Sequence, residues 1–116
     1  MASPVVHFEI RAEDPDAARA FFGQVFNWSF PEGAIPGYTY VATGADGAIP
    51  GGIGPTQGGD PVVTFFVGVE DVAAALARAE QLGGTIVQPA TSVPGVTFGL
   101  LASPAGQVVG VAAQGA

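Results

Sequence analysis

Hydrophobic and polar residues alternate in two stretches of the chain. In VVHFEI, residues 5–10, His7 and Glu9 lie between apolar residues, which is the period of a half-buried strand. The stretch PVVTFFV, residues 61–67, repeats the apolar alternation. Each stretch therefore predicts a strand with one face against the core.

A helix is predicted after each of these strands, over residues 14–26 and 71–84. Asp14 and Asp71 stand at the N-caps, where a carboxylate accepts the unpaired amides of the first turn, and Pro15 suits the first helical position. Apolar residues recur at helical spacing, which predicts a face that packs on the sheet. The predicted packing residues are Ala18, Phe21, Phe22 and Val25 in the first helix, and Val72, Ala75, Leu76, Ala79 and Leu82 in the second.

Three short strands are predicted after each helix. Glycines at Gly47 and Gly106 stand in the turn before the last strand of each set, where a positive φ is needed. Gly83 and Gly84 end the second helix. The predicted strands cover residues 28–30, 38–42 and 49–54 in the first half and 85–88, 95–101 and 107–112 in the second.

The two halves are copies of one unit. PVVHFEIRAEDPDAARAFFGQVF aligns without a gap on PVVTFFVGVEDVAAALARAEQLG. We therefore predict an α+β fold built from two βαβββ modules. The 116 residues suit one domain, with module 1 over about 4–54, a linker over about 55–60 and module 2 over about 61–116.

Charge and composition exclude several classes of function. Three arginines, Arg11, Arg19 and Arg78, face ten acidic residues, for a net charge of -7, so no basic patch for nucleic acid or an anionic membrane can form. No apolar run reaches the ~20 residues of a membrane helix, and the N-terminus lacks a signal-peptide pattern. Without cysteine, disulfides and thiolate chemistry are excluded. We expect a cytoplasmic protein.

The repeat resembles a known superfamily. The opening VVHFEIRAEDPDAARAFFGQVFNW and the closing SPAGQVVGV are similar to the vicinal oxygen chelate superfamily, which includes glyoxalase I, bleomycin-resistance proteins, fosfomycin-resistance enzymes and extradiol dioxygenases. The resemblance implies the glyoxalase/bleomycin-resistance fold, in which the two modules form a cup-shaped mixed sheet with the helices on its outer face. It does not imply one reaction, because this scaffold carries many chemistries.

The resemblance also implies where a metal would bind. Metal-dependent members hold the ion with four ligands from the first and last strand of each module, and those positions here are His7, Gly51, Thr64 and Gly110. Glycine offers no ligand, a threonine hydroxyl is a poor one, and a stable site needs about three protein ligands. We therefore expect no metal cofactor, with a divalent metal as the disfavoured alternative.

His7 and Glu9 share the side of the first strand that faces the cup. One interpretation is a pocket-lining pair, with the histidine hydrogen-bonded to a neighbour such as Glu9. The other is a catalytic or ligand-contacting pair, since a histidine titrates near neutrality and suits acid–base chemistry. A buried Glu9 needs a partner, which His7 or a ligand group would provide, because an unpaired buried charge is costly. The alternative is an exposed position for Glu9 at the rim of the cup.

Aromatic residues provide a second set of candidates. Thr64 and Phe66 share the cup-facing side of the second module's first strand, and Phe66 and Tyr40 are predicted to line a small-molecule pocket. Core or dimer packing is the alternative for each ring. Further aromatics on predicted strands are Trp28, Tyr38 and Phe98. The loop SFPEGAIPGYTY is either a flap over the cup or a simple connection.

Three functions remain open. The first is a metal-independent protein that binds a small organic molecule in the cup, beside His7, Glu9, Tyr40, Thr64 and Phe66. The second is a glyoxalase-like lyase, isomerase or dioxygenase that uses His7 and Glu9 as a base or a partial metal site. The third is mainly a dimerisation module. A homodimer is expected from the resemblance, with the C-terminal VVGVAAQGA at its interface.

Overall fold

The computed structural model describes residues 2–33, 35–56 and 58–113, which fall into two compact units. Residues 7–64 belong to the first, here called the N-terminal unit. The C-terminal unit contains the described residues from 65 onward together with the first few residues of the chain.

The described residues contain two helices and seven strands, which confirms the α+β class. In chain order they are β1 (Val5–Ala12), α1 (Pro15–Phe26), β2 (Thr39–Val41), β3 (Gly51–Pro55), β4 (Val62–Val69), α2 (Val72–Gln81), β5 (Thr85–Val93), β6 (Val96–Ala102) and β7 (Val108–Ala113). The second half has the predicted βαβββ order. The strand predicted over 28–30 is wrong, because this segment pairs only through a single bridge between Ser29 and Ala42.

The sheet of the N-terminal unit has the strand order β2-β3-β1. Strands β1 and β3 are parallel, and β2 and β3 are antiparallel. One face of this sheet carries the core, in which Ile10, Val41 and Ile53 are buried. Phe22 and Trp28 pack against these three residues. The core of the unit thus lies between the sheet and α1.

Helix α1 begins as predicted. The Asp14 carboxylate accepts a hydrogen bond from the Ala17 amide at 3.1 Å. The helix ends at Phe26, and the C-cap residue Asn27 has a φ of 57°, which stops further helical pairing.

The packing predicted for α1 is only half right. Ala18 and Phe22 pack on the core, but Phe21 and Val25 are 60% and 54% exposed. The unit's sheet contributes only three strands, one of them three residues long, so it covers the Phe22 side of the helix and leaves the other side to solvent.

The sheet of the C-terminal unit has the order β4-β7-β6-β5. Strands β4 and β7 are parallel, whereas β7–β6 and β6–β5 are antiparallel. Strand β7 pairs on both sides, so within the described residues it has no open edge with which to extend a sheet into a second copy. The predicted interface includes residues 114–116, which lie outside the described residues, and the homodimer stays a prediction.

Helix α2 packs on the sheet of the C-terminal unit. The Asp71 carboxylate accepts the Ala74 amide at 3.0 Å, which confirms the N-cap. Val72 and Leu76 are buried with Val111 of β7, as their spacing predicts. The predicted packing of Leu82 is wrong. The helix ends at Gln81, and Leu82, in the C-cap, is exposed.

No helix in the described part of the chain is both long enough and apolar enough to cross a membrane.

Candidate functional site

Three ionisable side chains occupy one face of β1. Because side chains alternate along a strand, His7, Glu9 and Arg11 share the face opposite Phe8 and Ile10, which pack towards α1. Glu9 is buried, at 3% exposure. The side chains of His7 and Arg11 are 24% and 27% exposed. The strand therefore places a buried carboxylate between two groups that reach solvent.

The Glu9 carboxylate has a partner on each oxygen. Its Oε2 forms an ion pair with Nη2 of Arg11. Its Oε1 accepts a hydrogen bond from the Tyr38 hydroxyl at 2.5 Å. Nε2 of His7 lies farther away, 3.4 Å from the same oxygen. Arg11 and Tyr38 therefore provide the partners that a buried charge needs, where His7 or a ligand was predicted.

Tyr38 links His7 to Glu9. Its hydroxyl lies 2.7 Å from Nε2 of His7, so the hydrogen bond predicted between the histidine and a neighbour is made to Tyr38. The pKa of the Tyr38 phenol is raised well above its ordinary value, mainly by burial and secondly by the nearby Glu9 carboxylate. The group therefore keeps its proton and stays a hydrogen-bond donor. The four residues form a continuous polar chain, called here the His7–Arg11 network: His7, Tyr38, Glu9 and Arg11.

The network depends on two glycines of β3. Gly52 is paired with Glu9 of β1 and with Tyr40 of β2, and a Cβ atom at Gly52 would overlap with the Tyr38 hydroxyl. A Cβ at Gly54 would lie 3.1 Å from the Tyr38 ring. Tyr38 can thus pack on β3 because Gly52 carries no side chain, and a side chain at Gly54 would bring only a tight contact.

Tyr40 belongs to the same surface. It is the register neighbour of Gly52, and its ring meets that of Tyr38 edge to face, with 5.4 Å between the ring centroids. Of the predicted site residues, the structure thus brings His7, Glu9 and Tyr40 together. A contact between Tyr40 and a ligand stays a prediction.

The register of β3 shows that Gly51 is not the strand position that the family resemblance implied for a metal ligand. Gly51 pairs with Phe8, and a Cβ at Gly51 would overlap with the Phe8 ring, so this residue faces α1 and not the network. The position beside Glu9 belongs to Gly52. The error arose because a one-residue shift moves every side chain of a strand to the other face, and a run of glycines does not show which register is right.

Thr64 and Phe66 both lie on β4 but in different units. Thr64 is half-buried in the N-terminal unit. Phe66 is buried in the C-terminal unit, where its ring meets Phe98 edge to face at 6.0 Å. Gly110 is its register partner, and a Cβ there would overlap with the Phe66 ring. Ligand contacts of Thr64 and Phe66 stay predictions.

The residues of the network do not fit a metal ion. Within residues 2–33, 35–56 and 58–113, no three histidine, aspartate or glutamate side chains are grouped to hold one. Both oxygens of Glu9 are engaged, and the Arg11 cation beside them would repel a divalent ion. The neighbouring strand offers Gly52, which has no ligand atom.

Two residues of the network were not predicted as site residues. Arg11 follows Glu9 by two positions, so the alternation that grouped His7 with Glu9 also contained the signal for Arg11. Tyr38 precedes Tyr40 by two positions in the predicted strand 38–42, so alternation placed both rings on one side of it, but the contact of Tyr38 with Glu9 comes from the tertiary fold.

A family model described as a glyoxalase-like domain matches residues 7–112. Among curated protein sequences, none matches this chain significantly.

Several solved structures share the fold. Methylmalonyl-CoA epimerase from Streptomyces coelicolor, in complex with 2-nitronate-propionyl-CoA, is 18% identical with a TM-score of 0.68, and the match covers 100% of this chain and 97% of that one. A glyoxalase/bleomycin resistance protein/dioxygenase superfamily member from Vibrio splendidus is 17% identical (TM-score 0.65; 97% and 98% covered). A hypothetical protein from Bacillus halodurans is 11% identical (TM-score 0.73; 100% and 97% covered). At these identities the likeness concerns the fold alone.

Proposed function

Since the chain belongs to the glyoxalase-like domain family, we propose that it is a metal-independent protein that binds a small organic molecule. The ligand would lie on the face of β1 and β3 that carries His7, Glu9 and Arg11. The fold alone does not select this function, because the same scaffold serves many chemistries. The proposal therefore rests on the His7–Arg11 network.

The observation that carries the proposal is that Glu9 is buried and fully satisfied within the protein. Arg11 balances its charge and Tyr38 donates to its second oxygen. A carboxylate held in this way does not need a metal ion to stay buried. The site is therefore assembled before any ligand arrives.

The groups at the surface of the network suit a small ligand. His7 and Arg11 each expose about a quarter of the side chain. The rings of Tyr38 and Tyr40 lie beside them. A few convergent polar groups among aromatic rings are typical of small-molecule sites, in which the rings bury the ligand and the polar groups orient it.

The structural neighbours indicate a first class of probe. Methylmalonyl-CoA epimerases have been solved with methylmalonyl-CoA and with 2-nitronate-propionyl-CoA. Acyl-CoA esters are thus a reasonable starting set for binding tests. A glyoxalase-like lyase or isomerase is the second candidate, because His7 is partly exposed and hydrogen-bonded within the network, as a general base would need to be.

Metal content and binding can be tested on the same protein. Elemental analysis after purification in metal-supplemented medium should give no stoichiometric metal. Stoichiometric zinc, nickel, manganese or iron that is lost on His7→Ala would overturn the proposal.

Binding is tested by thermal shift with methylmalonyl-CoA and a defined panel of small carboxylic acids, aldehydes and thioesters. A compound that stabilises the wild type should stabilise His7→Ala much less. Arg78→Met, on the exposed side of α2, serves as the control and should retain the full shift. Equal stabilisation of all three proteins would place the ligand elsewhere.

A further inference from the structure

We infer that Tyr38 is a positioning residue that holds neutral His7 with its ring proton on Nε2, and thereby makes Nδ1 the hydrogen-bond acceptor of the ring. The inference concerns the direction of each hydrogen bond in the network. The inference deepens the proposed function. What it implies for the chemistry of the ligand rests on that proposed function.

The direction is set at the Glu9 end. An arginine is always protonated, and the Arg11 guanidinium pairs with Oε2 of Glu9. An ionised carboxylate can only accept hydrogen bonds. The Tyr38 hydroxyl, 2.5 Å from Oε1, must therefore be the donor in that contact.

The Tyr38 hydroxyl then has no proton left for His7. A phenol carries a single hydrogen, and Tyr38 gives it to Glu9. The contact of 2.7 Å between Oη of Tyr38 and Nε2 of His7 can be a hydrogen bond only if Nε2 donates. The neutral imidazole must consequently be the Nε2–H tautomer.

The opposite direction is much less favourable. For Nε2 to accept from Tyr38, the phenol would have to accept from Glu9, which requires a protonated carboxyl group. Arg11, which now forms an ion pair with Oε2 of Glu9, would then have an uncharged partner. Leaving one charge of a buried pair uncompensated is strongly destabilising.

The arrangement of the rings allows this hydrogen bond but does not choose its direction, since the Nε2 lone pair of the other tautomer would point the same way as the N–H bond. The direction is therefore set by Glu9 and Arg11. The rings of His7 and Tyr38 are close to parallel, with an interplanar angle of 20° and 6.4 Å between centroids. The contact between the rings runs from Nε2 of His7 to Oη of Tyr38, 2.7 Å apart. Gly52 fixes the phenol, because its bare backbone is the surface on which Tyr38 lies.

The tautomer constrains the chemistry of the site. Whatever group meets Nδ1 of neutral His7, in the protein or in a ligand, must donate a hydrogen bond, as an alcohol or an amide N–H does. If His7 takes a proton, it takes it on Nδ1, because Nε2 already carries one. The donor contact to Tyr38 is then retained in both charge states.

The chain suits a direct test, because His7 is its only histidine. Long-range ¹H–¹⁵N correlation spectra of the ¹⁵N-labelled protein, recorded without any ligand at a pH where the ring is neutral, report which nitrogen carries the proton. Wild type should show a single ring form with a protonated-type Nε2 shift and an unprotonated-type Nδ1 shift. A ring protonated on Nδ1, or averaged between both forms, would overturn the inference.

Two variants separate the role of Tyr38 from general packing. Tyr38→Phe removes only the hydroxyl, so the Nε2–H form loses this acceptor and its share of the neutral ring should fall. Tyr40→Phe, which alters the ring next to Tyr38, should leave the wild-type pattern. An unchanged His7 spectrum in Tyr38→Phe would show that another contact of the ring, such as Glu9 at 3.4 Å, holds the tautomer, and would overturn the role of Tyr38.

The wild-type measurement remains decisive if Tyr38→Phe does not fold. Since the spectra are recorded without ligand, their result does not depend on the result of the binding screen. A correct tautomer with no binding would contradict only the proposed function.

Discussion

The side chain of Tyr38 lies against the backbone of Gly52, with no room between them for a methyl group. Gly52 is also the register partner of Glu9 on β1 and of Tyr40 on β2. One bare position in the middle strand thus lets a residue from a loop cross β3 and reach the carboxylate of β1. The buried charge of Glu9 depends on this contact as well as on Arg11.

We predict that Gly52→Ala lowers the free energy of unfolding by about 1–3 kcal/mol, because the added methyl group overlaps with Tyr38 and must displace it. Gly59→Ala is the matched control. A Cβ there meets nothing within 4 Å, so the free energy should change by less than about 1 kcal/mol. Urea denaturation measures both, and equal stability of the two variants would contradict the packing described for Tyr38.

Removing Arg11 should cost more than removing the whole pair. Arg11→Met leaves the Glu9 carboxylate buried without its cation, and we expect a loss of about 3–5 kcal/mol at neutral pH. Adding Glu9→Gln to this variant removes the stranded charge and should restore part of the loss. Arg19→Met, at an exposed pair on α1, should cost less than about 1 kcal/mol. A double variant less stable than Arg11→Met would refute this account.

Tyr38 should make the protein less stable in alkali. Burial and the Glu9 carboxylate raise its pKa in the folded state above the ordinary value of 10.0, whereas the unfolded chain keeps that value. Below pH 10 both states hold the phenol proton and Tyr38 adds no pH dependence. Above it only the unfolded state loses the proton, so the free energy of unfolding falls by up to about 1.4 kcal/mol per pH unit from this group.

This linkage is tested by measuring the free energy of unfolding from denaturation curves between pH 9 and pH 12. These limits lie about one unit below and about two units above the ordinary pKa of tyrosine. Tyr38→Phe should show a shallower alkaline decline than wild type, and Tyr40→Phe should keep the contribution of Tyr38. A decline of the same steepness in Tyr38→Phe and wild type would mean that other groups account for the alkaline instability.

The two neighbouring phenylalanines of α1 should differ in their importance. Phe22 packs on the core with Trp28, so Phe22→Ala should cost about 2 kcal/mol or more, below the value for a fully buried ring. Phe21 is mostly exposed, and Phe21→Ala should change the free energy of unfolding by about 0.5 kcal/mol or less. Thermal denaturation of the two variants gives the comparison. A larger loss at Phe21 would mean that its face of the helix is covered in solution.

The local elements were predictable because they depend on residues close in the chain. Asp14 and Asp71 each cap a helix by accepting a hydrogen bond from an amide only three residues further along the chain. Gly47 and Gly106 have the positive φ values that their turns require. The alternation along β1 likewise placed His7 and Glu9 on one face, since successive side chains of a strand point to opposite sides.

The register and the partners of Glu9 were decided by the tertiary structure. Neither Gly51 nor Gly52 has a side chain whose burial would reveal its face, so only pairing with β1 assigns Gly52 to the site. The sequence by itself determined the family, the order of most elements and the polar face of β1. Only the fold brought Tyr38 to that face, because its contact with Glu9 depends on packing against Gly52 of β3 and not on the alternation along its own segment. With that placement, a histidine and a carboxylate two positions apart became members of one hydrogen-bonded network.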